Sequence, residues 1–253
     1  MTESTIVARG AGLESVPLPV FDLGLAPYEP LQSLQCRLRQ AVGDGLVAGV
    51  LLLLEHESVI TLGRRGNDQD LRPATTCSPA REDNSIPVVR SERGGQATLH
   101  APGQLICYPV VPVPDRDLGR YVHNLEECLV VLLSRYDIRA ERRPGHPGLY
   151  VAGEKIASVG LRCQRWVTSH GTSLNVNIDP SLFDAIVSCG EPDLQQTSIR
   201  SLCGAPLVMA EVKDEYCRAV GEIFGWQLAG TRRLVFSQVE QALGLCSRDS
   251  GAS

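Results

Sequence analysis

Hydrophobic residues recur at helical spacing in three long segments of the chain. The segments are 28–42, 118–136 and 209–225. Their apolar stripes consist of Leu31, Leu34, Leu38 and Val42 in the first, Leu118, Tyr121, Val122, Leu125, Leu129, Leu132 and Leu133 in the second, and Met209, Val212, Tyr216, Val220 and Ile223 in the third. Residues that recur every three or four positions share one face of a helix, so the pattern predicts a helix over each segment. A shorter helix is predicted over 236–245.

Short apolar runs bounded by polar turns predict strands between these helices. The predicted strands are two within 51–66, then 87–92, 96–100, 104–111, 148–153, 154–164 and 167–178, with a polar loop over 67–84. Strands in hairpins mixed with packed helices predict an α+β fold with a mixed, largely antiparallel sheet. No repeat or linker interrupts the chain, so one domain is expected over 17–245, with flexible termini at 1–16 and 246–253.

Composition narrows the class of protein. The 253 residues are 43% hydrophobic, enough for a sizeable core, and the formal net charge of −5 disfavours nucleic acid or an anionic membrane as a partner. The longest apolar run, 47–54, is too short to span a bilayer, and the N-terminus lacks the pattern of a signal peptide. A cytoplasmic protein is expected.

The cysteines exclude two classes of site. There are nine, at positions 36, 77, 107, 128, 163, 189, 203, 217 and 246, with no C-x-x-C pair. Their spacing fits neither a zinc site nor a disulfide framework, so no metal is expected. Free cysteine is often buried, and most of these thiols are therefore expected to pack in the core.

Closely spaced glycines and prolines occur in the segment 91–109, SERGGQATLHAPGQLICYP. Gly94, Gly95 and Gly103 permit two tight turns on either side of Thr98 and His100. Backbone that turns closely around polar side chains predicts the wall of a cavity. A glycine-rich hairpin with a surface histidine is the alternative.

Lysine is rare in this chain. Of 24 basic residues only Lys155 and Lys213 are lysines. Lys213 lies among acidic residues on a predicted amphipathic helix, where a solvated ion-pairing role is expected. Lys155 lies among small residues in VAGEKIASVGLR, and a lysine amine, unlike a guanidinium, can lose its proton because burial readily lowers its pKa. The sequence therefore predicts a titratable amine at Lys155, with an ordinary surface lysine as the alternative.

Two further segments resemble parts of a site. His170 and Gly171 precede two small hydroxyl residues in SHGTSLNVNID, and Cys189 lies in the polar turn of FDAIVSCGEPD. Its turn predicts an accessible thiol, unlike the other eight cysteines. A cation beside an accessible cysteine stabilises the nucleophilic thiolate. Cys189 and Lys155 would form such a pair if the sheet brings them together.

Five segments together resemble the lipoyl(octanoyl) transferase family. They are LLLLEHESVITLGRRG, RGGQATLHAPGQLICYP, GEKIASVGLR, SHGTSLNVNID and SCG, and the resemblance runs from about 17 to 225. It implies the fold of the biotin and lipoate protein ligase catalytic domain. It also implies transfer of an octanoyl group from acyl-carrier protein to a lysine of a lipoyl domain, through a cysteine thioester and without a cofactor.

The resemblance assigns roles to individual positions. Cys189 matches the acylated nucleophile, and Lys155 matches the lysine that stabilises its thiolate and carries protons. The residues matching substrate-binding segments are Arg93, Gly94, Gly95, Gln96, Ala97, Thr98, Leu99, His100, Ser158, Val159, Gly160, Gly171, Thr172 and Ser173. Ser188 and Ala101 depart from the family's frequent proline and glycine, which could alter the two turns locally.

The implied partners are octanoyl-acyl-carrier protein as donor and, as acceptors, the lipoyl domains of 2-oxoacid dehydrogenase E2 subunits and the glycine cleavage H protein. Such partners are typically acidic in this family, so docking needs local basic surface. The candidates are Arg64, Arg65, Arg142, Arg143, Arg162 and Arg165, each of which could instead be an ordinary solvated charge. Two other functions stay open: an ATP-dependent lipoate or biotin ligase, which needs no nucleophilic cysteine, and a non-catalytic acyl-binding protein.

Overall fold

The computed structural model describes residues 16–72 and 86–245. Within them the helices are α1 (Tyr28–Gly43), α2 (Leu118–Ser134), α3 (Ile199–Cys203), α4 (Met209–Phe224) and α5 (Val239–Ala242). The strands are β1 (Val20–Ala26), β2 (Val50–His56), β3 (Val59–Leu62), β4 (Val88–Arg90), β5 (Ala97–His100), β6 (Gln104–Val110), β7 (Glu141–Arg143), β8 (His146–Val151), β9 (Glu154–Gln164), β10 (Val167–Asn175) and β11 (Arg232–Arg233). Cys77, Cys246, most of the predicted loop 67–84 and all of the predicted termini except Val16 lie outside the described residues.

The strands form two sheets. The larger has the order β11-β1-β2-β6-β10-β9-β8-β7, and the smaller has the order β4-β3-β5. β1 runs parallel to β2 and β11, and β3 runs parallel to β4, whereas the remaining pairs are antiparallel. This confirms the predicted α+β fold with a mixed, largely antiparallel sheet. One domain over 17–245 stays a prediction.

Helices cover both faces of the large sheet. The stripes of α2 and α4 pack with Leu51 and Leu53 of β2, while α1 packs with Leu52 and Leu54 of the same strand. Because side chains alternate along a strand, a strand buried on both faces is apolar at every position. That explains why β2 contains the run of four leucines.

The three long helices begin and end within two residues of the predicted limits. The segment predicted as a helix over 236–245 is instead a 3₁₀ turn, Phe236–Gln238, followed by the short α5. The pattern did not predict β1, β7, β11 or α3. β1 contains a polar residue and a glycine, and β7 and β11 are very short and mostly charged.

The prediction that the Lys213 side chain is solvated is wrong. It is 5% exposed, and its Nζ donates to Asp22 Oδ1 of β1 at 2.6 Å. The same Asp22 oxygen accepts the backbone N–H of Gly24 at 3.0 Å. Lys213 is therefore one partner of a buried ion pair that joins α4 to the large sheet.

Candidate active site

Cys189 lies on a strained turn. The 3₁₀ turn Ser188–Gly190 closes with the N–H of Glu191 donating to the Ser188 carbonyl at 3.0 Å. Cys189 itself has φ +57°, a left-handed conformation that costs a residue other than glycine about 1 kcal/mol or more. Its side chain is partly exposed. Because the surrounding structure holds this conformation, the thiol is fixed in direction although it lies in a loop.

Lys155 lies next to that thiol. Its Nζ donates to Cys189 Sγ at 3.2 Å, with the Tyr150 hydroxyl and the Pro147 carbonyl each at 3.4 Å, and the residue is only 2% exposed. Backbone hydrogen bonds explain how residues so distant in sequence meet. The N–H of Lys155 donates to Gln195 O, and its carbonyl accepts from the N–H of Thr197, each at 2.9 Å. The segment that follows Cys189 is therefore tied to β9 beside Lys155.

The pKa of Lys155 moves in the opposite direction from the sequence-based expectation. Burial, the largest influence, lowers the pKa of the amine, but the ionised Cys189 and the Tyr150 hydroxyl together raise it above the ordinary lysine value. Lys155 is therefore an ammonium while Cys189 carries a negative charge. Burial also raises the pKa of Tyr150, so this hydroxyl stays neutral at neutral pH.

Arg93 organises the glycine-rich loop. Its guanidinium donates to Thr61 Oγ1 and to the carbonyl oxygens of Thr61, Gly94 and Gln96 at 2.6–3.1 Å. Burial lowers the pKa of this side chain, which is 7% exposed. With most of its donors bound to protein oxygens, Arg93 supports the loop rather than presenting a free charge to a ligand.

A cavity of about 320 Å³ adjoins the lysine and cysteine pair. Fifteen of the sixteen predicted site residues line it: Arg93, Gly94, Gly95, Gln96, Ala97, Thr98, His100, Lys155, Ser158, Val159, Gly160, Gly171, Thr172, Ser173 and Cys189. Leu99 does not, because it packs against Ile60 and Phe183 in a small core beneath β5. The structure thus brings the segment of β5 together with those of β9 and β10, two paired strands that come much later in the chain.

Gly171 is required by the sheet rather than by a ligand. A Cβ at this position would lie 2.1 Å from the carbonyl oxygen of Cys107 on β6. No side chain fits that approach, so glycine lets β10 pack against β6 at the cavity wall. The departure at Ala101 has no visible cost, because Ala101 is a buried core residue outside the left-handed region.

Several lining residues were not predicted. They are Arg65, Tyr108, Leu118, Val122, Gly145, His146, Pro147, Leu161 and His170. Leu118 and Val122 belong to the predicted apolar stripe of α2, whose first turn faces the cavity rather than the core. His170 lay in a quoted motif, and its φ of +58° distinguishes it in the structure.

Three histidines lie buried at or near the cavity. His56 Nε2 is 2.8 Å from the Tyr108 hydroxyl, and His100 Nδ1 is 2.6 Å from Gln104 Oε1. Burial lowers the pKa of His56 to about 4 and that of His170 to about 3, and it holds that of His100 well below the usual value. All three are therefore neutral at neutral pH, and His100 and His170 line the cavity as polar but uncharged side chains.

Accessibility alone does not distinguish Cys189 from the other thiols. Of the seven described cysteines, Cys107 and Cys128 are buried, and burial raises the pKa of both. Cys163 and Cys217 pack against the core with intermediate exposure, so four of the seven pack there as expected. Cys36 and Cys203 are exposed, so the expectation that only Cys189 is accessible is wrong. Cys189 differs from the other cysteines in the position of Lys155, whose Nζ lies 3.2 Å from Cys189 Sγ.

Most of the predicted docking arginines already have partners. Arg142, Arg162 and Arg165 form ion pairs with nearby carboxylates, and Arg143 lies over the ring of Tyr150 at 4.0 Å. Arg64 and Arg65 are exposed and form no ion pair with another described residue. Arg65 also lines the cavity, so these two fit a docking role best.

In the described parts of the chain, no three or more histidine, cysteine or acidic side chains cluster so that they could hold a metal ion. Nor does any helix among residues 16–72 and 86–245 have the length and apolar character needed to cross a membrane.

Comparison with known proteins places this chain in a family. Residues 27–221 match the lipoyl protein ligase A/B catalytic domain. The chain is 40% identical over 208 residues to an octanoyltransferase of Nitratidesulfovibrio vulgaris, covering 81% of this chain and 94% of that protein. It is 36% identical over 221 residues to an octanoyltransferase of Rubrobacter xylanophilus, covering 86% and 96%.

Solved structures agree on the fold. A lipoate-protein ligase A bound with ATP superposes with a TM-score of 0.66 at 15% identity, covering 91% of this chain and all of that one. A bi-partite lipoate protein ligase from Thermoplasma acidophilum gives 0.67 at 14% identity, covering 92% and 99%. The ligases share the architecture, while the similarity in sequence over most of the chain is to octanoyltransferases. The chain therefore belongs to the family of the lipoyl protein ligase A/B catalytic domain, as an acyltransferase of its octanoyltransferase group.

Proposed function

We propose that this protein transfers an octanoyl group from octanoyl-acyl-carrier protein to a lysine of a lipoyl domain through a thioester on Cys189. The observation that carries the proposal is the 3.2 Å contact between Lys155 Nζ and Cys189 Sγ at the wall of the cavity. The relatives named octanoyltransferases support the acyl group, because they match over most of this chain.

The cavity suits a short apolar chain attached to a polar carrier. Its volume of about 320 Å³ lies at the small end of ligand pockets. Gly94, Gly95 and Gly160 keep the wall free of side chains, and Leu118, Val122 and Leu161 add apolar surface. An octanoyl chain would extend along this wall with its carbonyl near Cys189.

In the first half of the reaction, the Cys189 thiolate attacks the carbonyl carbon of the donor thioester. A new bond forms from carbon to Cys189 Sγ, and the bond to the carrier's sulfur breaks. The Lys155 ammonium gives its proton to the departing thiolate, which leaves as a thiol. The products are an octanoyl thioester on Cys189 and a neutral Lys155 amine.

Acylation of Cys189 changes the role of Lys155. While Cys189 is a thiolate, its negative charge raises the pKa of the lysine, and burial opposes it. The thioester carries no charge, so burial becomes the dominant influence and lowers the pKa of Lys155. The lysine therefore acts as an acid in the first half and as a base in the second.

In the second half, a neutral amine of the acceptor lysine attacks the Cys189 thioester. Lys155 accepts a proton from the attacking nitrogen, an amide bond forms, and Cys189 leaves as a thiolate. The ion pair of the resting enzyme is thereby restored, and the cycle balances. Thioester exchange is nearly neutral in free energy and amide formation is favourable, so the cycle consumes no ATP.

The acceptors in this proposal are the lipoyl domains of 2-oxoacid dehydrogenase E2 subunits and the glycine cleavage H protein. The archaeal ligase with the similar fold is described together with its E2 lipoyl domain, which supports an acceptor of this kind. Arg64 and Arg65, exposed beside the cavity, would contact acidic groups of donor or acceptor. Cytoplasmic location remains part of the same proposal.

Intact mass spectrometry tests the covalent step. Incubation with octanoyl-acyl-carrier protein and no ATP should add one octanoyl group, and hydroxylamine should remove it. A purified lipoyl domain added afterwards should gain the same mass. An ATP-dependent ligase would instead need ATP and free octanoate, and a binding protein would gain no covalent mass, so either result contradicts the proposal.

A further inference from the structure

The proposed cycle, on which this inference rests, leaves one proton of the acceptor lysine without a recipient. A free lysine has a pKa of about 10.4, so it reaches the enzyme as an ammonium with three protons. The amide product keeps one of them on nitrogen. Lys155 takes one proton as the amide forms, and another must leave earlier so that nitrogen has an electron pair for the attack.

His146 lies where that earlier proton could be accepted. It begins β8, lines the cavity, and has a side chain that is 48% exposed. Its Nδ1 is 2.9 Å from Oε1 of Glu191, two residues beyond Cys189. The contact is an ionic one without hydrogen-bond geometry, because Glu191 Oε1 accepts no hydrogen bond from any described residue. The carboxylate places a negative charge beside the imidazole ring.

The remaining histidines do not fit this role. His56, His100 and His170 are buried, and burial lowers the pKa of each. His123 is exposed on α2 but does not line the cavity. His146 is therefore the one histidine of this chain that contacts both the solvent and the cavity.

We propose that His146, beside the Glu191 carboxylate, accepts the first proton of the acceptor lysine at the mouth of the cavity. One N–H bond of the incoming ammonium breaks, a bond forms from that proton to the unprotonated ring nitrogen of His146, and the electron pair stays on the lysine nitrogen. The neutral amine then attacks the Cys189 thioester. The imidazolium returns its proton to water.

The charged groups around His146 fit this step. Arg143 pairs with His146 in the β7–β8 hairpin, and Lys155 Nζ contacts the carbonyl of the adjoining Pro147 at 3.4 Å. Arg143 is a cation throughout the cycle and Lys155 is one until Cys189 is acylated, so before acylation both would repel a positive charge on the imidazole. Glu191 offsets them, and Cys189 and Lys155 are both neutral while the enzyme is acylated, so the imidazolium forms in the least repulsive state.

The test measures the two halves of the reaction, acylation of Cys189 and transfer to the lipoyl domain, separately in the variant His146→Gln. Acylation by octanoyl-acyl-carrier protein should keep its rate, whereas transfer to a lipoyl domain should fall about a hundredfold, the low end for loss of a general base. Hydroxylamine is already unprotonated at neutral pH, so its reaction with the Cys189 thioester should be unchanged. The deficit toward the lipoyl domain should shrink as the pH rises, because more of the acceptor lysine is then neutral.

Two more variants sharpen the result. Glu191→Gln should show a smaller loss in the same step, and His123→Gln, the matched exposed histidine, should show none. Equal losses toward hydroxylamine and the lipoyl domain would make the pair structural and overturn the inference. Absence of an octanoyl adduct in the unsubstituted protein would overturn the proposed function as well, whereas normal discharge by His146→Gln overturns this inference alone.

Discussion

The protein holds its two lysines in two buried settings, one on the wall of the cavity and one between α4 and β1. Lys155 is 2% exposed with a thiol at 3.2 Å, and Lys213 is 5% exposed with a carboxylate at 2.6 Å. Burial and a close partner that can carry a negative charge are common to both. These two features alone therefore do not identify a catalytic lysine.

The difference lies in what the partner can become. No step of the proposed reaction modifies the Asp22 carboxylate, which also accepts a backbone N–H. In the proposed cycle the Cys189 thiolate loses its charge when it is acylated, which would reverse the electrostatic balance at Lys155. A buried ion pair becomes part of a catalytic cycle when one partner can be neutralised reversibly and a cavity gives substrate access to it.

Cys189→Ser breaks the catalytic pair completely. The serine hydroxyl is a far weaker nucleophile near neutral pH, so octanoyl transfer should fall below detection while the fold is kept. The check is intact mass after incubation with the donor, together with circular dichroism. Cys203→Ser, at an exposed cysteine away from the cavity, should transfer normally. Near-normal transfer by Cys189→Ser would assign the nucleophile to another residue.

Lys155→Arg separates charge from proton transfer. A guanidinium stays protonated, so it can still pair with the Cys189 thiolate but cannot give up a proton in the first half. Transfer should fall by about two to four orders of magnitude, while iodoacetamide still labels Cys189 rapidly in peptide-resolved mass spectrometry.

Lys155→Ala is the control for whether the longer arginine side chain fits at this position. It should lose both the rapid iodoacetamide labelling of Cys189 and octanoyl transfer. Unchanged transfer by Lys155→Arg would reduce Lys155 to a source of positive charge and contradict the acid and base steps.

The contrast between the lysines also shows what the sequence could predict. The sequence predicts Cys189 and Lys155 as a pair because their residue types suit a local chemistry, and it predicts two of the three cavity segments from their glycines. The third segment, Ser158 to Gly160, is predicted only by the resemblance. The burial of Lys213 was missed because its partner Asp22 is 191 residues away, on a strand that the pattern did not reveal. Ion pairs distant in sequence leave no local signal.

Two errors at the site have different causes. Leu99 was included with its neighbours although alternation along β5 turns it toward the small core, away from Thr98 and His100. That signal was present in the sequence. His146 and Glu191 gave no such signal, because their contact depends on how the turn after β7 meets the turn of Cys189.

Lys213→Met breaks the structural pair. It leaves the Asp22 carboxylate partly buried without its cation, which should destabilise the protein by about 3–5 kcal/mol. Denaturant unfolding measures this loss, and transfer per folded molecule should be unchanged at low temperature. The double variant Asp22→Asn with Lys213→Met should recover part of the stability, because no buried charge remains. A stable Lys213→Met protein that has lost transfer would contradict the separation of roles.

Tyr150→Phe makes the smallest change, because it removes one contact of Lys155 and keeps the ring beneath Arg143. The hydroxyl helps to raise the pKa of Lys155, so without it that pKa should fall, and the limb of the pH–rate profile that reports Lys155 should move to lower pH. Loss of one such hydrogen bond, typically about 0.5–1.5 kcal/mol, should change transfer by about two- to tenfold. Tyr121→Phe removes a buried hydroxyl at the same 3.4 Å separation, from Thr168 in the core, and should leave the profile unchanged. A shift to higher pH in Tyr150→Phe, or an equal shift in Tyr121→Phe, would mean that the lysine is not titrated through its Tyr150 contact and that Cys189 alone sets its charge.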